Sequence, residues 1–287
     1  MLLVTCAFTV GIFDIQKPCC FKRMGDDYMP TDLSVIIPIY NEEGELWEMA
    51  KQLAVHLDKI IGQNRWQYVL VDNGSFDSTP NIVKRIIEKW PLCVQAHLDR
   101  PNYGQALATG LENAKGEWAY IINVDWWDPV FIRWAWQNRS RYDLIVGSKR
   151  ADNTLNHQQK YRMILSWGLN SLLQFFFGFI GTDTHGQKLV RLSSMRPVFR
   201  KCIMRRGQFD TEFTLRAMRY GLWLAEVPVP IVEKRKQRNL MLKKIAQNIW
   251  DILILWRLMK KVPFSNSVRY HRWAREDMEN IEDWGKN

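Results

Sequence analysis

Disulfide chemistry has little to work with in this chain. Its five cysteines, Cys6, Cys19, Cys20, Cys93 and Cys202, are odd in number and form no CxxC pair or close ligand set. That usage argues against structural zinc and for a reducing compartment. A secure membrane span is also missing, because each long apolar stretch is interrupted by Asn170, Gln174, Asp251 or Arg257, so no spanning helix is expected. Residues 1–13, MLLVTCAFTVGIF, are apolar but carry neither a basic flank nor a small-residue cleavage site, which argues against a secretory leader. Residues 1–30 read as an N-terminal extension, with Met24 or Met29 as alternative starts. Internal repeats and low-complexity linkers are lacking too. The expected organisation is one catalytic domain over 31–230 and a basic loop with an amphipathic helical tail over 231–287.

What is abundant is apolar surface, positive charge and tryptophan. At 287 residues and 47% hydrophobic content the chain can bury a large core. Its formal charge of +10 favours anionic partners. Several of the 14 tryptophans stand beside basic residues, as in Trp256-Arg257 and Arg272-Trp273, a pairing suited to lipid headgroups.

From Leu33 onward, short apolar runs alternate with helical periodicity. SVIIPI reads as a buried strand; Leu46, Met49, Ala50, Leu53, Leu57 and Ile60 then recur at helical spacing, with Asn41 as the expected cap. WQYVLVD, LCVQAHL and EWAYIINV read as further strands, separated by helices over 78–90 and 103–114. This β-α-β-α-β-α-β order predicts an α/β fold with a mostly parallel sheet flanked by helices, whose ligands bind beyond the carboxyl ends of the strands. PIYNEE, DNGSFDS, RPNYGQA and NVDWWDP all occupy such positions.

Taken alone, Asp72-Asn73-Gly74 is turn chemistry. Beside PIYNEE at a sheet crevice, the Asp72 carboxylate can instead accept from a nucleobase ring N–H. In their order and spacing, VIIPIYNEE, VLVDNGSFDST, NYGQALATGLENAKGEWAYIINVD, IVGSKR and FDTEFTLRAMRYGLWLAEVPV resemble glycosyltransferase family 2, in particular the polyprenyl-phosphate (dolichol-phosphate) mannose and glucose synthases. The similarity spans roughly 33–240 and implies the Rossmann-like A-type glycosyltransferase fold.

The resemblance implies that Pro38, Tyr40 and Glu42 line a nucleotide-sugar pocket, that Asp72 binds the base, and that Asn123 borders the diphosphate. Asp125 takes the second acidic position of the family's Asp-x-Asp motif, as catalytic residue and ligand of Mg²⁺ or Mn²⁺; the ion neutralises charge on the departing nucleoside diphosphate. Two residues depart from the pattern. Asn123 replaces the first Asp and removes a charge, and Trp127 stands where Gln often follows. Asp128-Pro129 is expected to open the next helix.

On the helix after Tyr161, Arg162, Ser166, Asn170 and Gln174 form one polar stripe on an apolar background. The stripe is either a thin solvated face or an inward one; the resemblance places Arg162 and Ser166, with Lys149, on an acceptor phosphate. His185 is either a phosphate contact or a satisfied polar residue, Asp210 and Glu212 are helix-start acids or sugar contacts, and Asp210 or Asp183 would be the base for a hydroxyl acceptor. Arg235, in the basic run EKRKQR, is the candidate for stabilising the leaving group. The helix beyond it, with Leu242, Ile245, Ile249, Ile252, Leu253 and Trp256 on one face, fits a headgroup-level helix or a packed one.

The expected activity is inverting transfer of a hexose from a UDP- or GDP-sugar to a polyprenyl phosphate, on the cytoplasmic face of an anionic membrane, with or without a membrane-anchoring subunit. A transferase acting on a glycan hydroxyl and a degenerate nucleotide-sugar-binding scaffold are the alternatives. Nucleic acid fits the charge but not the ordered loops.

Overall fold

The computed structural model describes residues 31–152, 160–230, 241–263, 265 and 268–279, excluding the side chains of 160–166 and 241–246. The N-terminal extension lies outside the described residues.

β1 (Leu33–Ile39), β2 (Trp66–Asp72), β3 (Val94–His97) and β4 (Trp118–Ile121) alternate with α1 (Leu46–Ile60), α2 (Thr79–Lys89) and α3 (Tyr103–Asn113). Then come α4 (Pro129–Asn138), β5 (Leu144–Ser148), α5 (Lys160–Phe177), β6 (Lys188–Arg191), α6 (Leu192–Arg200), α7 (Phe209–Arg219) and β7 (Trp223–Pro228). The chain closes with α8 (Met241–Met259), β8 (Arg269–Arg272) and α9 (Arg275–Glu279). All eight strands join one sheet in the order β3-β2-β1-β4-β6-β5-β7-β8. Among the described residues, only β6 runs against its neighbours, between β4 and β5.

β1 and β2 are buried along their whole length, which is why they read as continuous apolar runs rather than alternating ones. Side chains still alternate between faces. Leu33, Val35, Ile37 and Ile39 meet α1, α2 and α4 in one core layer, and Ile36, Val69 and Val71 meet α3, α6 and α7 in the other. Each fully buried aliphatic side chain contributes roughly 1.5–3 kcal/mol relative to exposure. Leu46, Met49, Ala50, Leu53 and Leu57 are all buried on α1, as their spacing requires.

The segment beyond residue 230 adds to this body. β8 pairs in parallel with β7, and α8 buries Ile252, Leu255 and Met259 against the α3 layer. Among the described residues, no helix is long and apolar enough to cross a membrane.

Candidate functional site

The site is built where β1, β2 and β4 end side by side. β1 pairs with both β2 and β4, so the three loops leave the sheet at adjacent positions. Asn41 is not the cap of α1; that helix starts later, with Glu45 at its N-cap position and no side-chain cap. Asn41 instead adopts a left-handed backbone, with φ of 53°, a conformation Asn tolerates better than most residues. Its backbone N–H donates to Ser75 Oγ at 3.0 Å, and its Oδ1 accepts from the Phe76 N–H at 3.0 Å.

Further bonds fasten the same two loops together. Glu42 N–H donates to Thr79 Oγ1 at 2.8 Å, and Ser78 N–H donates to Glu43 Oε2 at 2.9 Å. The loop after β3 is brought against them at Gly74, whose φ is +78° and whose missing Cβ would lie 3.2 Å from the Leu98 carbonyl. Glycine alone combines that φ with that approach at little cost. Asn73 then accepts from the Asn102 N–H at 2.7 Å, and Asn102 caps α3 through the Gln105 N–H at 3.3 Å.

Asp72 ends β2 with its side chain only 2% exposed. Its Oδ1 accepts from the Ser75 N–H at 3.0 Å and its Oδ2 lies 3.0 Å from His97 Nδ1. Pro38 is in register with Val71 one position before. Tyr40 stands out of the sheet at 40% exposure, its ring edge-on to Phe76 at 6.2 Å. Pro38, Tyr40, Glu42 and Asp72 thus share one corner of the molecule.

Beyond β4, Asn123 and Trp126 form an isolated bridge, and Asn123 Oδ1 accepts from the Tyr103 hydroxyl at 3.2 Å. Burial, reinforced by Asp210 and Asp125, pushes the Tyr103 phenol well above its ordinary value of 10.0. The phenol therefore stays a hydrogen-bond donor at neutral pH. Asp125 is half-buried and lines a cavity of about 500 Å³ with Glu45, Glu48, Gln52, Trp126, Trp127 and Pro230. Asp128 opens α4 as expected, accepting from the Val130 N–H at 2.9 Å. Its other oxygen takes Arg275 Nη1 at 2.9 Å, an anchor from the far end of the chain.

No group of three His, Cys, Asp or Glu side chains that could hold a metal occurs among the described residues. An ion completed by substrate phosphates needs only one or two protein oxygens. Asp125, opening on a cavity with the Asn123 amide oxygen two residues away, fits that kind of ion.

A second cluster lies across β6. Lys149 follows β5 and is half-buried. Ser148 Oγ sits 2.7 Å from Thr182 Oγ1, and the Thr182 N–H donates to the buried Glu226 at 2.9 Å. Burial holds the Arg150 guanidinium below its ordinary value, against the pull of Asp183 and Glu226. Asp183 receives the His185 N–H at 2.9 Å on Oδ1. Asp210 is fully sealed, paired with Lys188 Nζ at 2.7 Å. Glu212 bonds Arg216 at 2.7 Å and accepts from the N–H groups of Ile203 and Met204. Both acids are thus tied into the architecture.

The polar stripe of α5 does not keep one environment. Asn170 is buried and donates to the Gly181 carbonyl at 3.3 Å, while Gln174 is exposed. Arg162 and Ser166 lie in the first turns of α5, and their side chains are outside the described residues, as is the whole of Arg235.

Sequence reasoning singled out neither His97 nor Tyr103. His97 could have been found from strand register, since it stands opposite Asp72 on β3. Tyr103 needed the third dimension, because 20 residues separate it from Asn123.

A sheet flanked by helices on both faces, with acidic loops at its strand ends, defines a doubly wound α/β architecture. Residues 34–199 match the family model for glycosyl transferase family 2, and the chain belongs to that family. It is a glycosyltransferase. A dolichyl-phosphate beta-glucosyltransferase of Trichomonas vaginalis is 25% identical over 245 residues, covering 79% of this chain and 74% of that protein. An undecaprenyl-phosphate 4-deoxy-4-formamido-L-arabinose transferase of Edwardsiella ictaluri is 26% identical over 230 residues, covering 77% and 66%.

Among solved structures, glucosyl-3-phosphoglycerate synthase from Mycobacterium tuberculosis with UDP superposes with a TM-score of 0.55 at 16% identity, covering 82% of each chain. The same enzyme with Mn²⁺, UDP-glucose and phosphoglyceric acid gives 0.54, covering 83% of this chain and 82% of that one. These likenesses establish the A-type glycosyltransferase fold.

Proposed function

We propose that the protein transfers a hexose from a UDP- or GDP-sugar to a polyprenyl phosphate at a membrane surface. The observation that carries this reading is the joining of two features in one body. Fastened loops converge on Asp72 and Asp125 at one end of the sheet. Elsewhere, α5 and α8 expose large apolar side chains: Phe175 is 83% exposed, Trp167 67% and Trp250 61%. Such a surface is costly in water and suits a lipid headgroup region. Lys260, just past α8, lies 3.5 Å from the ring centroid of Trp256 on that helix, adding charge suited to an anionic surface. The two polyprenyl-phosphate transferases among the relatives support the acceptor class.

A phosphate acceptor is already an anion, so the reaction needs no general base. One acceptor oxygen attacks the anomeric carbon while its bond to the diphosphate oxygen breaks on the opposite side, inverting the configuration. Tyr40 and Asp72 position the nucleoside. Asp125, assisted by the Asn123 amide oxygen, would hold Mg²⁺ or Mn²⁺, which supplies charge neutralisation on the leaving diphosphate. Lys149 and Arg162 seat the acceptor phosphate, with Ser166 as a hydrogen-bonding neighbour, and Arg235 meets the departing group. Lys149 brings charge but not the bidentate fork of an arginine.

One observation favours a second reading. Asp183 Oδ2 is buried without a hydrogen-bond partner among the described residues, and an acid so placed could serve as base toward a sugar hydroxyl. The test is incubation of purified protein with radiolabelled nucleotide sugars, Mn²⁺ or Mg²⁺, and a short polyprenyl phosphate, followed by organic extraction. Chelator-sensitive label in the organic phase is the expected result. Label that appears only on a soluble glycan would replace the lipid acceptor with the hydroxyl one.

A further inference from the structure

The loop that carries Asp125 is fastened from a part of the chain that lies beyond the matched residues 34–199. Within the loop, the Trp126 N–H turns back to the Asn123 carbonyl at 3.4 Å, and the Trp126 indole N–H donates to the Pro230 carbonyl at 3.0 Å, just past β7. Asp128 ends the loop and is only 5% exposed. Its backbone N–H donates to Gln187 Oε1 at 3.2 Å, and its Oδ2 takes Arg275 Nη1 at 2.9 Å. The same arginine nitrogen reaches the Pro228 carbonyl at 3.4 Å. Arg275 thus joins the Asp125 loop to the end of β7.

Arg275 is itself held in place as the first residue of α9. Trp273, two residues before it, donates its indole N–H to the Tyr142 hydroxyl at 3.1 Å and meets Trp134 of α4 edge-on at 5.3 Å. Both members of the Arg275–Asp128 ion pair are largely shielded from water. Without the guanidinium, Asp128 would be a buried carboxylate that has lost its cation, a cost the loop relieves by moving Asp128 toward water.

We propose that Arg275 is a positioning residue for the donor diphosphate: through Asp128 it fixes the backbone from which Asp125 would meet Mg²⁺ or Mn²⁺. This rests on the donor-site reading above. An ion shared between a carboxylate and substrate phosphates takes its geometry from the loop that bears the carboxylate, and groups that orient a ligand from behind typically change metal affinity about 10–100-fold. The base corner is fastened separately, through Asn41, Ser75 and Thr79, so loss of Arg275 should spare it.

The test is calorimetric titration of the full chain with UDP and, separately, GDP, each in Mn²⁺ and in EDTA. The quantity read is how far Mn²⁺ tightens the nucleotide that binds. Wild type should show tightening of about tenfold or more. Arg275→Ala should shrink it severalfold with the affinity in EDTA unchanged, and Arg275→Lys, which keeps a cation for Asp128, should restore most of it. In an Asp128→Asn background, Arg275→Ala should add little further loss, because the two residues act as one unit. Tightening unmoved by Arg275→Ala, equal weakening in Mn²⁺ and in EDTA, or a full additional loss in the Asp128→Asn background overturns the role of Arg275 while leaving the donor site standing. A wild type that binds nucleotide with no response to Mn²⁺ overturns the metal reading and this inference with it. Failure to bind either nucleotide overturns the donor site as well.

Discussion

In the half of the sheet formed by β3, β2, β1 and β4, acidic groups stand beyond the strand ends and mostly accept from loop backbone. Asp72 takes the Ser75 N–H, Asp77 takes those of Thr79 and Glu43, and Glu43 takes that of Ser78. In the half formed by β6, β5, β7 and β8, acids are enclosed and, besides backbone N–H groups, meet side-chain cations or hydroxyls. Asp210 faces Lys188, Glu212 faces Arg216, and Glu226 receives the Tyr270 hydroxyl at 2.7 Å and Arg272 Nε at 3.2 Å. The contrast separates two uses of one chemistry. Carboxylates in the first half tie the strand-end loops to one another, whereas those in the second half are held by side chains in the packed interior.

The sharpest way to break this contrast is Lys188→Met. It leaves the Asp210 carboxylate buried and uncompensated, and should lower unfolding stability by about 3–5 kcal/mol, read as a shift of the denaturant midpoint. Adding Asp210→Asn to that variant should recover part of the loss, since it removes the stranded charge.

Asp125→Asn probes the opposite half. Turnover at saturating donor and Mn²⁺ should fall at least about a hundredfold, ~2.7 kcal/mol in the barrier, while stability falls by less than in Lys188→Met. Comparable loss of stability in both variants would mean that the two halves do not differ in kind.

Asn41→Ala tests the fastening of the donor loops. It removes the acceptor for the Phe76 N–H and places alanine at positive φ, costing about 1–2 kcal/mol. Asn41→Gly keeps the backbone but not the bridge, so weakened nucleotide binding in both variants would assign the effect to the side chain.

The smallest effect belongs to the exposed pair Glu112–Arg200. The Arg200 hydrogen bond and charge hold the Glu112 carboxyl below its ordinary value of 4.5. A depressed native pKa stabilises above the unfolded value, and that contribution disappears as pH falls through the native one. Arg200→Ala should therefore lower stability only slightly at pH 7, and progressively less on acidification below 4.5. A pH-independent difference in chemical denaturation midpoints would show that the pair's charge is irrelevant.

Much of the first half was legible in the sequence because its signals are local. Apolar runs, helical spacing and turn residues placed β1, β2, α1 and α2 within a few positions, and Asp128-Pro129 announced its own helix. Asn41 was misread as a cap because a loop asparagine before a helix looks the same whether it binds that helix or a loop 35 residues away. β8 escaped notice: RYHR has no apolar alternation and is held by pairing with β7 and by Glu226. Asp210 beside Glu212 suggested helix-dipole stabilisation, whereas the partner that defines Asp210 lies 22 residues earlier. Local pattern reveals elements and their ends; it does not reveal which buried charges face each other.

The single reversed strand also has a consequence for synthesis. β6 separates β4 from β5, so a chain emerging amino-terminus first can assemble β3-β2-β1-β4 from residues 33–121 before the rest exists. β5 is then finished more than forty residues before its neighbour in the sheet, and during that interval its pairing edge has no β6 to occupy it. A nascent chain that pairs these strands as they emerge would carry an open edge at β4, and ribosome pausing or chaperone capture should then be felt most between the completion of residues 121 and 191.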